Sequence, residues 1–73
     1  MMPITLASVG EELMIKKVGG SSETRRFLEG LGFVAGGEVK IVSEMGGNVI
    51  LNVKDSRVAV SKEMANKIMV NHT

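Results

Sequence analysis

The 73-residue chain contains no cysteine. No disulfide can staple it and no thiolate can act as nucleophile or metal ligand, so packing alone must hold the domain together, which suits a reducing compartment. Aromatic residues are scarce as well: two phenylalanines, no tyrosine and no tryptophan. Domains that stack single-stranded bases or grip proline-rich peptides rely on exposed aromatic platforms, and this chain lacks the equipment for either. Strong charge of one sign is also missing. The formal net charge is +1, and only Lys16-Lys17 and Arg25-Arg26 are adjacent basic pairs, so the electrostatic footprint of a nucleic-acid binder is absent. Beyond the opening Met1 to Ile4, no apolar run exceeds three residues, whereas a membrane-spanning helix needs about 20. No charged segment followed by an apolar stretch marks a secretion leader, and the expectation is a cytoplasmic protein. Histidine occurs once, as His72, so neither a Cys-His pair nor a Ser-His-Asp triad is to be expected in a pocket, and an enzyme is not expected.

What is present describes a folded domain. Hydrophobic residues make up 44% of the chain and charged ones 23%, a balance that argues against disorder. The length allows one domain, residues 1–73, and a domain of this size buries only ~60% of the surface its unfolded chain exposes.

Ile4 to Val9 is a short apolar lead-in, with Leu6 and Val9 expected beneath the first strand. Glu11 to Val18 reads as a strand in which Leu13 and Ile15 point inward; Val18 falls out of phase, which predicts a bulge at Lys16-Lys17. Gly19-Gly20 ends it. Ser21 to Leu31 is the one strong helix signal. A serine can cap its start, Glu23 lies in the first turn, and Thr24, Phe27, Leu28 and Leu31 fall on one face at i, i+3, i+4, i+7. Gly32 then stands where a left-handed C-cap belongs. The remainder is a meander: Glu38 to Met45 with Val39 and Ile41 inward, a Gly46-Gly47 hairpin, Val49, Leu51 and Val53 alternating, a turn at Asp55-Ser56, then Val58 and Val60. Ser61 caps a helical turn through Ala65, and Ile68 and Val70 form a last strand. About five short, closely connected strands fit a small closed or half-closed barrel with one inserted α-helix and a short helical turn near the C-terminus, a mostly-β architecture that removes exposed edges. Phe27, Leu28 and Leu31 are expected to close one end.

The order of these signals resembles the ferrous-iron transport protein A (FeoA) family. The matching residues are Leu6 before GEELMIKKV (Gly10 to Val18), RRFLEGLGF (Arg25 to Phe33), AGGEVKIV (Ala35 to Val42), the strand from Asn48 to Lys54, and SRVAVSKEMANKIMV (Ser56 to Val70). Val60 stands where the family pattern most often has Leu. Each piece alone is common; the ordered set is far more specific. The resemblance implies an SH3-like barrel and an accessory role beside a membrane iron permease with a cytoplasmic G domain. It also raises association with iron(II) or another transition metal. The same domain occurs at the C-terminus of iron- and manganese-responsive repressors, so a metal-responsive regulatory domain acting through another protein is the alternative. No helix-turn-helix segment precedes the domain in this sequence, which favours the stand-alone form.

The residues themselves offer few sites. Glu11, Glu12, Glu38, Glu44 and Asp55 could include a carboxylate pair, but a solvated face is the ordinary state of such residues. Gly19-Gly20-Ser21-Ser22 leads into a helix N-terminus, where a turn plus a cap accounts for the pattern better than an anion site. Iron(II) or zinc would want imidazole, thiolate or clustered carboxylates, and no tight intrinsic metal site is expected. Met14, Met45, Met64 and Met69 are expected to fill core gaps. The best interaction candidate is the polar face of the inserted helix, with Arg25, Arg26 and Glu29 as partner contacts. Lys54 is placed on the far side of the barrel from it.

Overall fold

In the computed structural model, which describes residues 1–73, the chain runs through β1 (Met2–Pro3), a 3₁₀ turn (Ile4–Leu6), β2 (Glu12–Val18), α1 (Ser22–Gly30), β3 (Glu38–Met45), β4 (Asn48–Val53), β5 (Ser56–Ser61), α2 (Lys62–Ala65) and β6 (Ile68–His72). The strands form one sheet in the order β1-β6-β2-β3-β4-β5, every neighbouring pair antiparallel; β1 and β5 end it without pairing to each other, so the expected removal of edges does not occur. A flat sheet would be a layer ~10 Å deep. The molecule instead measures 29 × 27 × 22 Å, because the sheet curls until the inward residues of β2 to β6 meet in one apolar cluster.

That cluster follows the alternation. Leu13 and Ile15, Val39 and Ile41, Val49, Leu51 and Val53, Val60, and Ile68 and Val70 are all buried, and no polar side chain is buried with them. Burying a Val, Leu or Ile side chain contributes roughly 1.5–3 kcal/mol, and this term replaces the missing disulfides. Ile4, Leu28, Phe33 and Ala65 complete the core.

Two bulges set the phase. Ile15 pairs with Val70 and Lys17 with Met69, so Lys16 is the extra residue and the predicted bulge is present. A second lies at Val42, between the pairs Ile41–Leu51 and Ser43–Ile50. It reverses the faces of the rest of β3. Met45 therefore comes onto the outer side with Asn48 and is 71% exposed, not a core filler. Met14 and Met69 are half-buried, and Met64 packs against the core.

Turn chemistry explains the remaining departures. The loop between β4 and β5 is Lys54-Asp55, one residue earlier than the expected Asp55-Ser56, since Val53 pairs with Ser56. Both loop residues have positive φ, 50° and 62°, the pattern of a type I′ hairpin. In the lead-in, the 3₁₀ turn buries Ile4 and brings Ala7, three residues on, against the core. Leu6 and Val9, expected under the first strand, are exposed instead. β1 is only two residues long and gave no periodic signal.

Candidate interaction surface

α1 is held by matched caps. Ser21 Oγ accepts the Thr24 N–H at 3.1 Å. This cap occupies the N-terminus that Gly19-Gly20-Ser21-Ser22 leads into. At the other end the Gly32 N–H donates to the Glu29 carbonyl at 3.0 Å and the Phe33 N–H to the Leu28 carbonyl at 3.1 Å. This is the Schellman arrangement, with the apolar contact between Leu28 and Phe33 that usually accompanies it. Gly32 has φ +110°, as its position predicts.

Leu28 is fully buried, and Thr24 and Leu31 are half-buried. Phe27 does not join them: it is 52% exposed, so it does not close the barrel end. The reason is angular. Each residue advances ~100° around the helix, so Phe27 lies ~100° from Leu28, on the flank of a stripe that a short helix buries only along its centre. One of the chain's two aromatic rings thus stands in solvent.

Arg25, Arg26 and Glu29 are all exposed on α1. None of them makes an ion pair: the two in the molecule are Lys62 Nζ to Glu44 Oε1 at 3.7 Å and His72 Nδ1 to Glu11 Oε2 at 2.9 Å. The outward side of α1 therefore offers two arginines and a carboxylate with no ion-pair partner for any of the charges, and Phe27 stands on its flank, ~100° from Arg26 and ~160° from Arg25 and Glu29. Phe27 is the member that sequence reasoning misplaced; its i+3 position, at the rim of the apolar stripe, was the available signal.

The other candidates sit elsewhere. Glu12, Glu38 and Asp55 share an open cleft of ≈450 Å³ with Lys40 and Lys54, so its wall alternates in sign. Glu44 is paired with Lys62. Glu11 and the lone imidazole are joined by the pairing of β2 with β6. No three His, Asp or Glu side chains are grouped to hold a metal ion. Lys54 is not remote from α1: a Cβ placed on Gly32 would lie 3.5 Å from Lys54 Cδ. α1 packs against β2, and β2 pairs with β3 only at Glu38, Val39 and Lys40, so Glu44, ~13 Å farther along β3, is the better distant reference. No helix is long and apolar enough to cross a membrane.

A family model described as the FeoA domain matches residues 2–72. A Methanocaldococcus jannaschii protein that carries the name Fe(2+) transport protein A is 33% identical over 70 residues, covering 96% of this chain and 85% of that protein. Among solved structures, iron(II) transport protein A from Clostridium thermocellum aligns with TM-score 0.90 and 27% identity, over 97% of this chain and 45% of that one. FeoA of Stenotrophomonas maltophilia complexed with zinc, described as a procaryotic SH3 domain protein, aligns with TM-score 0.85 and 23% identity, over 97% of this chain and 91% of that one. The mostly-β architecture expected from the residue pattern, and the SH3-like fold implied by the family resemblance, are the observed ones. The chain belongs to the FeoA domain family, a family of accessory proteins in ferrous-iron transport.

Proposed function

We propose that this domain serves ferrous-iron uptake by docking, through the outward face of α1, onto the cytoplasmic part of a membrane iron permease that carries a G domain, and that it performs no turnover itself. The observation that carries the reading is the exposed side of α1: Arg25, Arg26 and Glu29 have no ion-pair partners in their own chain, and Phe27, on the flank ~100° round the helix from Arg26, is 52% exposed. Arginines and aromatic rings are enriched among residues that dominate binding energy, whereas charges left in water contribute little. On a docking helix Phe27 would add an apolar contact at one edge of the polar surface. The residue inventory supports the absence of turnover, since there is no cysteine and the single imidazole is held by Glu11 at the rim of the sheet.

The test is capture of the permease's cytoplasmic part by the immobilised domain, in nucleotide-free, GDP and GTP states. Arg25→Ala with Arg26→Ala should weaken capture at least fivefold (more than about 1 kcal/mol) while leaving the fold intact. Glu44→Ala, at the distant end of β3, should bind like wild type. Wild-type affinity in the double variant would show the face to be merely solvated. No affinity of the wild type in any nucleotide state would end the permease reading and leave a regulatory role through another protein.

A further inference from the structure

Two features of the chain have no part in the α1 face: the lone imidazole, His72, and the methionine pair Met1-Met2. The sheet brings them together. Met2 stands opposite Val70 where β1 pairs with β6, and directly opposed residues share a face. His72, two residues on from Val70, lies on that face as well. Met2 and His72 are therefore diagonal neighbours, within reach of a long side chain. β1 ends the sheet on this side. It is two residues long and one of them is Pro3, a blunted edge. Met1, Met2 and His72 line one open pocket of ≈490 Å³ together with Val70 and Asn71, and no lysine or arginine is among the lining residues.

The imidazole is held in one orientation. Glu11 lies two residues before Leu13, the β2 residue opposite His72, and its Oε2 is 2.9 Å from His72 Nδ1. A carboxylate accepts and does not donate, so Nδ1 carries the hydrogen and the neutral ring keeps its lone pair on Nε2. The Ser8 N–H donates to the other oxygen of Glu11. The backbone just past His72 is tied to β2 by Thr73, whose N–H and hydroxyl both donate to the Glu12 carbonyl, at 3.4 and 3.3 Å. No side-chain hydrogen bond of the chain uses Nε2. A carboxylate that fixes one ring nitrogen and leaves the other free is the usual support of a metal-ligating histidine, because it sets the tautomer and raises the basicity of the free nitrogen.

We infer that Met1, Met2 and His72 form a site for a soft monovalent cation, copper(I), with the two Sδ atoms and His72 Nε2 as ligands. The donor set selects the ion. Iron(II) and zinc(II) want thiolate, carboxylate or several imidazoles, and two neutral thioethers with one imidazole serve them poorly. Copper(I) is soft and accepts thioether and imidazole together. Methionine is unbranched with three rotatable bonds, so both sulfurs can swing onto an ion already held by the fixed imidazole. The Glu11 carboxylate behind the ring offsets the added positive charge. None of Arg25, Arg26, Phe27 and Glu29 takes part, so the site is independent of permease docking, and the expected lack of a tight iron(II) or zinc(II) site stands beside it.

Titration of the untagged full chain with copper(I), supplied as its acetonitrile complex under anaerobic conditions, tests this. Wild type at micromolar concentration should take up one equivalent. The S-methyl signals of Met1 and Met2 and the ring signals of His72 should shift, while the S-methyl of Met45, on β3, stays in place. Met2→Leu keeps apolar bulk against the core and removes the sulfur; this variant and His72→Ala should each bind at least about tenfold more weakly, with unchanged strand chemical shifts. Met45→Leu should bind like wild type, and excess zinc(II) should not displace the copper(I). Wild type that takes up no stoichiometric copper(I) overturns the proposal. So does wild-type affinity in both Met2→Leu and His72→Ala, or a shift of the Met14, Met45 or Met69 methyls in place of those of Met1 and Met2, since the ion would then lie elsewhere. Displacement by zinc(II) would overturn the choice of ion.

Discussion

Gly32 and Lys54 lie against each other although they belong to different elements: a Cβ on Gly32 would sit 3.5 Å from Lys54 Cδ, and both residues have positive φ, +110° and 50°. The left-handed turn that ends α1 therefore rests on the hairpin joining β4 to β5.

Gly32→Ala follows from this contact. The nearest atoms to an added Cβ are at ordinary van der Waals distance, so the cost comes from the backbone, where a side chain disfavours positive φ. The variant should lose at least about 1 kcal/mol, read as a fall in melting midpoint of ~4–8 °C. Gly32→Asn should lose less, because asparagine tolerates such caps. An unchanged midpoint for Gly32→Ala would mean that the cap relaxes without penalty.

The Lys54-Asp55 loop holds two residues other than glycine at positive φ. Asn-Gly is the favoured pair for a type I′ turn. Lys54→Asn with Asp55→Gly should therefore raise stability by ~1 kcal/mol, measured by urea denaturation. A loss would show that Lys54's cover over Gly32 outweighs the turn preference.

Leu28 and Phe27 are neighbours in sequence with opposite burdens. Leu28→Ala empties a fully buried site and should cost ~2–5 kcal/mol. Phe27→Ala should change stability by less than ~1 kcal/mol, because its ring is half in water, yet weaken permease capture. A Phe27→Ala protein that binds fully would remove the ring from the proposed contact.

The isolated domain should not hold iron(II) or zinc(II) at a stoichiometric, sub-micromolar site. Such sites need three or four imidazole, thiolate or carboxylate ligands at once, and no three of these side chains converge. Calorimetric titration under anaerobic conditions checks this. One tight equivalent would move the protein to the metal-responsive class.

Much of the fold was legible because its causes are local. Alternation at Leu13-Ile15, Val39-Ile41 and Val49-Val53 marks strands, since successive side chains must point to opposite faces. The capping serines Ser21 and Ser61, the glycine after Leu31, and the bulge at Lys16 are likewise written in a few neighbouring residues. The ordered motifs from Gly10 to Val70 carried the family. The candidate site was legible in part: Arg25, Arg26 and Glu29 could be placed on one helix, and their exposure follows from charge.

The rest was decided in three dimensions. How wide a stripe of α1 is buried depends on what packs beneath it, so Phe27's exposure was hidden in a pattern that equally fits burial. The bulge at Val42 interrupts a run that reads as continuous, and it alone turns Met45 outward. Which strands end the sheet, and thus that β5 keeps a free edge while β1 is blunted, is a property of strand order. So are the contacts of Glu11 with His72 and of Gly32 with Lys54. Periodicity reports each residue's own face; only chain closure fixes which distant residue stands opposite it.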